Sequence, residues 1–267
     1  MFKKIFFIFL LTFITTSSSF AEKIEIDQIT LNIFTPQNYR DESNKLDKKI
    51  IREMERQQSM KFLKRYVRNG SNDKESHYVH IFIDNDSING NVQTESDIEE
   101  ILTYFHDGFI ALNENIDTVV KESNKSYSKM NIDIKVNTPV VIESEKSSRH
   151  ISTICLIKVT DNNNKFLHYS LYDYEFIYLC NTFFTIYSYC NFLDVDHLYK
   201  RIQEVKEQSS LFRKMLFNNN QDNLQNANPN YTAEEHDSGD TFRLITYAVA
   251  VLILLLGIFF FCVHRKK

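Results

Sequence analysis

Asp194, Asp196 and His197 are the densest grouping of chemistry-bearing side chains in the sequence. Two carboxylates and an imidazole so close together are donors that a divalent cation accepts, or the acid–base set of a hydrolase. The same acids are also what a helix start attracts, because its free amides carry partial positive charge. His77 and His80 stand three apart where a strand pattern begins; a strand sends i and i+3 to opposite faces, so they are not expected to share a metal. His106-Asp107 falls on the polar side of a long helical pattern and reads as a solvated pair rather than a dyad. Cys180 or Cys190 would need a positioned base to act as a nucleophile, and both fall in strand patterns. With 5 Gly in 267 residues, no GxxxxGK[ST] or GxGxxG phosphate loop occurs, and neither GxSxG nor HExxH is present. These patterns assign no catalytic residue, no metal and no cofactor.

The stronger signal is cationic. Lys45, Lys48, Lys49, Arg52, Arg56, Lys61, Lys64, Arg65 and Arg68 face only Asp47, Glu53 and Glu55, a net charge of about +6 over residues 45–68. Lys48, Lys49, Arg52 and Arg56 are the candidate binding residues, a docking surface for an acidic protein or for anionic lipid headgroups. The alternative is a solvated helix face in a Lys-rich chain. The whole chain carries −4. Setting aside Lys3, Lys4, Arg265, Lys266 and Lys267, which belong to the terminal segments described next, 26 basic residues remain against 35 acidic ones, about −9. That balance speaks against nucleic acid as a partner.

Two apolar runs set the expected topology. Residues 5–14 follow Lys3 and Lys4 and are too short to cross a hydrocarbon core of ~30 Å. Small residues then lead to Ser19-Phe20-Ala21, so residues 1–21 read as a signal peptide cleaved after Ala21. Residues 244–263 carry no charge over the length of a spanning helix, and Arg265, Lys266 and Lys267 follow. Basic residues stay inside. The expectation is therefore an external domain at 22–217, an Asn-rich tether at 218–243, one membrane helix at 244–263 and a cytoplasmic tail at 264–267. The signal peptide is of bacterial type, which places the domain in the periplasm or on the outer surface of the cell membrane. Cys155, Cys180 and Cys190 would lie outside and Cys262 in the membrane; at most one bridge could form among the three, and buried free thiols are the simpler reading. Sequons at Asn69, Asn85, Asn124 and Asn230 occur at about the chance frequency for so Asn-rich a chain.

The composition, 43 % apolar and 25 % charged with 14 Tyr and 22 Phe, suits a packed domain. Residues 22–34 alternate, with a slip at Asp27-Gln28 that reads as a bulge in one opening strand. Residues 45–58 read as a helix, 60–68 as helix or strand, and 77–84 as a strand. Ile98, Ile101, Leu102, Phe105, Phe109, Leu112, Ile116, Val119 and Val120 make one narrow stripe on a helix over 97–121, with Ser96 and Glu99 as its capping box. Strands follow at 132–142, 150–160, 166–179, either unbroken or interrupted near Asp173, and 183–190, with Asp161-Asn162-Asn163-Asn164-Lys165 as a hairpin. The last two are apolar on both faces, as central strands are. A final helix over 194–217 starts at Asp194 as N-cap and buries Val195, Leu198, Ile202, Val205, Phe212 and Leu216. The expected fold is α+β, an antiparallel sheet of about six strands with helices on both faces.

This order, opened by Thr30-Leu31-Asn32-Ile33-Phe34-Thr35-Pro36-Gln37-Asn38-Tyr39, resembles the PsbP-like α/β/α sandwich over residues 24–217. It departs from that family where Gln37-Asn38-Tyr39 stands in place of Gly and an aromatic residue, and in having no Trp. It also resembles bacterial membrane-anchored envelope proteins of the same layout. The resemblance implies a binding or assembly factor and carries over no catalytic residue. The expected function is therefore a non-enzymatic binding or envelope-assembly module. The alternative is a membrane-tethered enzyme with a site assembled from residues such as Asp194, Asp196 and His197.

Overall fold

The computed structural model describes residues 22–26, 29–58, 60–72, 75–84, 94–129, 133–179 and 182–220. The signal segment, Asn85, Cys180, Asn230 and the expected membrane helix with Cys262 lie outside them. Among the described residues no helix is long and apolar enough to cross a membrane. Strands β1 (Glu22–Ile26) and β2 (Ile29–Ile33) come first, then β3 (Tyr39–Asp41), α1 (Lys48–Gln58), β4 (Met60–Arg68) and β5 (His77–Asp84). Helix α2 (Glu95–Lys129) precedes β6 (Lys135–Val136), β7 (Val140–Ser147), β8 (His150–Thr160), β9 (Phe166–Leu179) and β10 (Thr182–Phe192), and α3 (Leu198–Asn219) closes the domain.

Eight strands form one antiparallel sheet in the order β3-β4-β5-β10-β9-β8-β6, with β7 also paired to β8. The central β9–β10 hairpin is in register from Thr182 opposite Leu179 to Phe192 opposite Tyr169. Its residues alternate between two apolar layers. Tyr172, Tyr174, Phe176, Phe183, Tyr187 and Tyr189 pack beneath Met54 of α1 and Ile98, Ile101, Leu102 and Phe105 of α2. On the other face Ile177, Leu179, Phe184 and Ile186 pack against Phe212 and Leu216 of α3 and Leu31 and Ile33 of β2. Farther along α3, Ile202 and Val205 cover Ile154, Leu171 and Cys190. The doubly apolar strands are central for that reason: each face has its own cover.

The architecture is the expected mixed α+β fold with a large antiparallel sheet, though of eight strands rather than about six, and its elements resolve or depart from the pattern in further places. The expected single opening strand over 22–34 is two strands, β1 and β2, paired antiparallel with Ile26 opposite Ile29, while the slip at Asp27-Gln28 lies outside the described residues. The ambiguous 60–68 segment is strand β4, held by pairing to β5 with an irregularity between Phe62 and Lys64. The expected strand over 132–142 divides into β6 and β7, because Pro139 between them has no amide to donate. Helix α2 starts earlier and runs on to Lys129, and its cap is Thr94, not Ser96: Asp97 N–H donates to Thr94 Oγ1 at 3.3 Å and Thr94 N–H to Asp97 Oδ2 at 2.6 Å. Val195 is 46 % exposed, because it sits in a 3₁₀ turn before α3 begins. The side chains of Phe109, Leu112, Ile116 and Val119 lie outside the described residues. The Asp161–Lys165 hairpin forms as expected: Asp161 Oδ1 accepts from the amides of Asn163 and Lys165, and Asn164 takes φ 64°.

Candidate docking surface

The basic segment does not act as one surface. Lys64 is buried on β4, with Nζ donating to Asp41 Oδ2 at 2.7 Å and also bonded to Glu22. Burial alone would depress the Lys64 ammonium, yet the bonds to Asp41 and Glu22 raise it overall. Arg65 is 2 % exposed, and its guanidinium carbon lies 5.5 Å from the centre of the Tyr78 ring; burial lowers its pKa, partly offset by Tyr78. Lys45 is tied to Glu42, which also holds Arg40 at 2.6 Å.

What remains outside is the face of α1, together with Lys61 and Arg68 near the two ends of β4. At about 100° per residue, Lys48, Lys49, Arg52 and Arg56 fall within an arc about 100° wide, opposite Ile50, Ile51 and Met54. Met54 is buried and Ile50 and Ile51 are half-buried against the sheet layer. Lys48, Lys49 and Arg52 are exposed; the Arg56 side chain lies outside the described residues. Two of the three local acids are committed elsewhere, and the Glu53 side chain lies outside the described residues. Asp47 Oδ1 accepts from the Lys49 amide at 2.7 Å, an Asx cap at the helix start. Glu55 Oε1 accepts from the Phe62 amide at 3.0 Å, where β4 begins. Among the described residues no carboxylate pairs with Lys48, Lys49 or Arg52.

The other candidates are accounted for by structure. Asp194 Oδ1 accepts from the Asp196 amide at 2.9 Å and Asp194 Oδ2 lies 3.2 Å from His197 Nδ1, so Asp194 caps the turn leading into α3. Among the described residues no three His, Cys, Asp or Glu side chains gather as a metal site. His77 and His80 face opposite sides of the sheet: His77 Nε2 lies 4.0 Å from Glu204 of α3, while His80 stacks among Phe62, Tyr78 and Phe82. Burial holds His77 down to about 4 against the pull of Glu204, and holds His80 well below its usual value, so both rings are neutral at pH 7. His106 Nδ1 and Asp107 Oδ1 lie 3.2 Å apart on the outer side of α2. Cys155 and Cys190 are free and buried. Burial pushes the Cys155 thiol up to about 12 and raises Cys190 too, which keeps both protonated.

One arrangement had a signal that went unread. Asp173 and Glu175 are two apart in an otherwise apolar strand, so they share a face. Both are buried beneath α3. Arg213 of α3 donates to Glu175 Oε1 at 2.7 Å and to His150 Nε2 at 2.8 Å, and Ser152 Oγ donates to Asp173 Oδ1 at 2.8 Å. The group fastens α3 to the sheet.

No family model matches the chain. No curated protein matches it either. Among solved structures, the Saccharomyces cerevisiae Ran-binding protein Mog1p is similar at 12 % identity and a TM-score of 0.30, over 90 % of this chain and 93 % of that one. A likeness of that degree assigns neither fold nor function.

Proposed function

We propose that this chain is a single-pass, membrane-anchored protein whose extracytoplasmic α+β domain is a non-enzymatic binding or assembly module of the bacterial envelope, with the cationic face of α1 as its docking surface. The observation that carries the reading is the commitment of charge around α1. Asp47 and Glu55 serve the backbone, Lys64 and Arg65 serve the interior, and Lys48, Lys49 and Arg52 are left pointing outward. Exposed cations on a rigid helix in a domain of opposite net charge steer an acidic partner to one place. The resemblance to PsbP-like sandwiches, with their binding and assembly roles, supports the same reading. So does the topology expected from residues 1–21 and 244–263.

The test is site-specific photo-crosslinking in native membranes. A photoreactive side chain beside Lys49 should capture an acidic protein, and one at Leu211 on the exposed side of α3 should not. Reversal of Lys48, Lys49, Arg52 and Arg56 to Glu should abolish the capture without altering membrane insertion. Capture unchanged by the reversal, or no specific product from α1, sinks the reading.

A further inference from the structure

We infer that the acidic surface met by α1 is the N-terminal third of α2 on a second copy of this chain, in a two-fold pair with each α1 against its partner's α2. The inference rests on the docking reading of α1 and names its occupant.

Both helices lie on the same face of the sheet. Helix α1 packs over β4, and α2 over β6, β7 and β8 at the other end. Four strand spacings of about 4.8 Å separate β4 from β8, so the helices stand about 19 Å apart across the sheet. With Ile98, Ile101, Leu102 and Phe105 buried, helical phase turns Glu100 and Asp107 away from the sheet and Glu99 to the side. These three acids are exposed and line an open depression of about 480 Å³. The helix dipole explains acids in the first turn only; Asp107 lies three turns further on. Arg149 is taken by Glu95, and Lys146 on the rim bonds to the Thr103 hydroxyl.

The two patches are opposite in sign, similar in charge and displayed on one face. A two-fold axis running between the helices, in the plane of their outer faces, sets Lys48, Lys49 and Arg52 of each copy against Glu99, Glu100 and Asp107 of the other. Every contact then occurs twice, as an isologous interface requires. The copies need not meet from dilute solution, because tethers in one bilayer raise their effective concentration.

The experiment uses the full chain in neutral phosphatidylcholine vesicles, with energy transfer between two labelled pools. Wild-type copies should transfer above the level of random proximity and lose that excess in high salt. Two triple variants are compared: Lys48→Glu/Lys49→Glu/Arg52→Glu, and Glu99→Lys/Glu100→Lys/Asp107→Lys. Each alone should lose at least about tenfold in apparent association, since like charges then face each other twice. Mixed together they should recover it, because both contacts become complementary again; that recovery also shows that both variants fold. Absence of excess transfer in the wild type, triple variants that associate like wild type, or a mixture without recovery would each overturn the inference. Adhesion of dispersed wild-type copies to phosphatidylglycerol vesicles would overturn it in favour of lipid. Monomeric wild type that still loses its photo-crosslinked partner on α1 reversal overturns self-pairing and leaves the docking reading standing.

Discussion

Asp173→Asn should remove one proton-linked component from the pH dependence of stability. Asp173 is buried in mid-sheet, with the carboxylate of Glu175 on the same face and one guanidinium, Arg213, serving both. Burial first, and then the Glu175 charge, raise its pKa from 3.8 to about 7, against the opposing pull of Ser209, Ser152 and Arg213. The native state therefore keeps a proton that the unfolded chain has released. Its stabilising effect is complete below the unfolded value and is lost as pH rises through the native one. One proton corresponds to a slope of at most about 1.4 kcal/mol per pH unit. Between pH 5 and 7 that amounts to about 2–3 kcal/mol. The wild-type profile alone will not display it, because His77 and His80, held neutral by burial, contribute the opposite slope at acid pH. The difference between wild type and Asp173→Asn isolates it. Asn mimics the protonated carboxyl and can still accept from Ser152, so the variant should gain on wild type steadily from pH 5 to about 7 and then level off. The assay is thermal unfolding of the full chain in neutral detergent, followed by near-ultraviolet tyrosine dichroism. A difference that stays flat would show that Asp173 ionises as an ordinary acid. A difference of opposite sign would show that Arg213 binds Asp173 as an anion.

Three further outcomes follow from the packing. Asn220→Ala removes bonds from Asn32 N–H at 2.8 Å and to Leu216 O at 2.7 Å, so it should cost about 1–3 kcal/mol and speed hydrogen exchange in β2, read by mass spectrometry. Thr94→Ala removes the α2 cap and should destabilise by about 1 kcal/mol, whereas Ser96→Ala should be close to neutral in the same melt. Cys155 and Cys190 should resist iodoacetamide in the native protein at pH 8 and react once urea unfolds it, as mass spectrometry of alkylated peptides will show.

The legible parts of this fold were those where one physical rule acts alone. Strands β5, β8 and β9 match the segments read at 77–84, 150–160 and 166–179, because burial on both faces leaves an unmistakable apolar run. Where tertiary pairing decides, the pattern was silent. Met60, Leu63 and Val67 fall at helix-compatible spacing within residues 60–68, and only the ladder to β5 makes the segment a strand. The alternation over 22–34 looks alike whether it makes one strand or two; β1 and β2 pair with each other, and Leu31 and Ile33 reach the layer under α3. Thr94 outcompeted Ser96 as a cap because α2 begins one turn earlier than its apolar stripe.

The docking face shows the same limit from the side of charge. A count over residues 45–68 finds nine cations and three anions but cannot say which of them meet solvent. Pairing sorts them. Lys64 and Arg65 sit on opposite faces of β4, both of them covered, where Asp41 and Glu22 receive the one and the Tyr78 ring the other. Asp47 caps the start of α1 and Glu55 is bonded to the Phe62 amide of β4, so neither carboxylate pairs with the cations of the outer arc. The cationic face of α1 therefore owes as much to the structural duty of Asp47 and Glu55 as to its excess of basic residues. On this reasoning, freeing Glu55 by deleting its backbone contact should weaken partner capture even though no cation has changed.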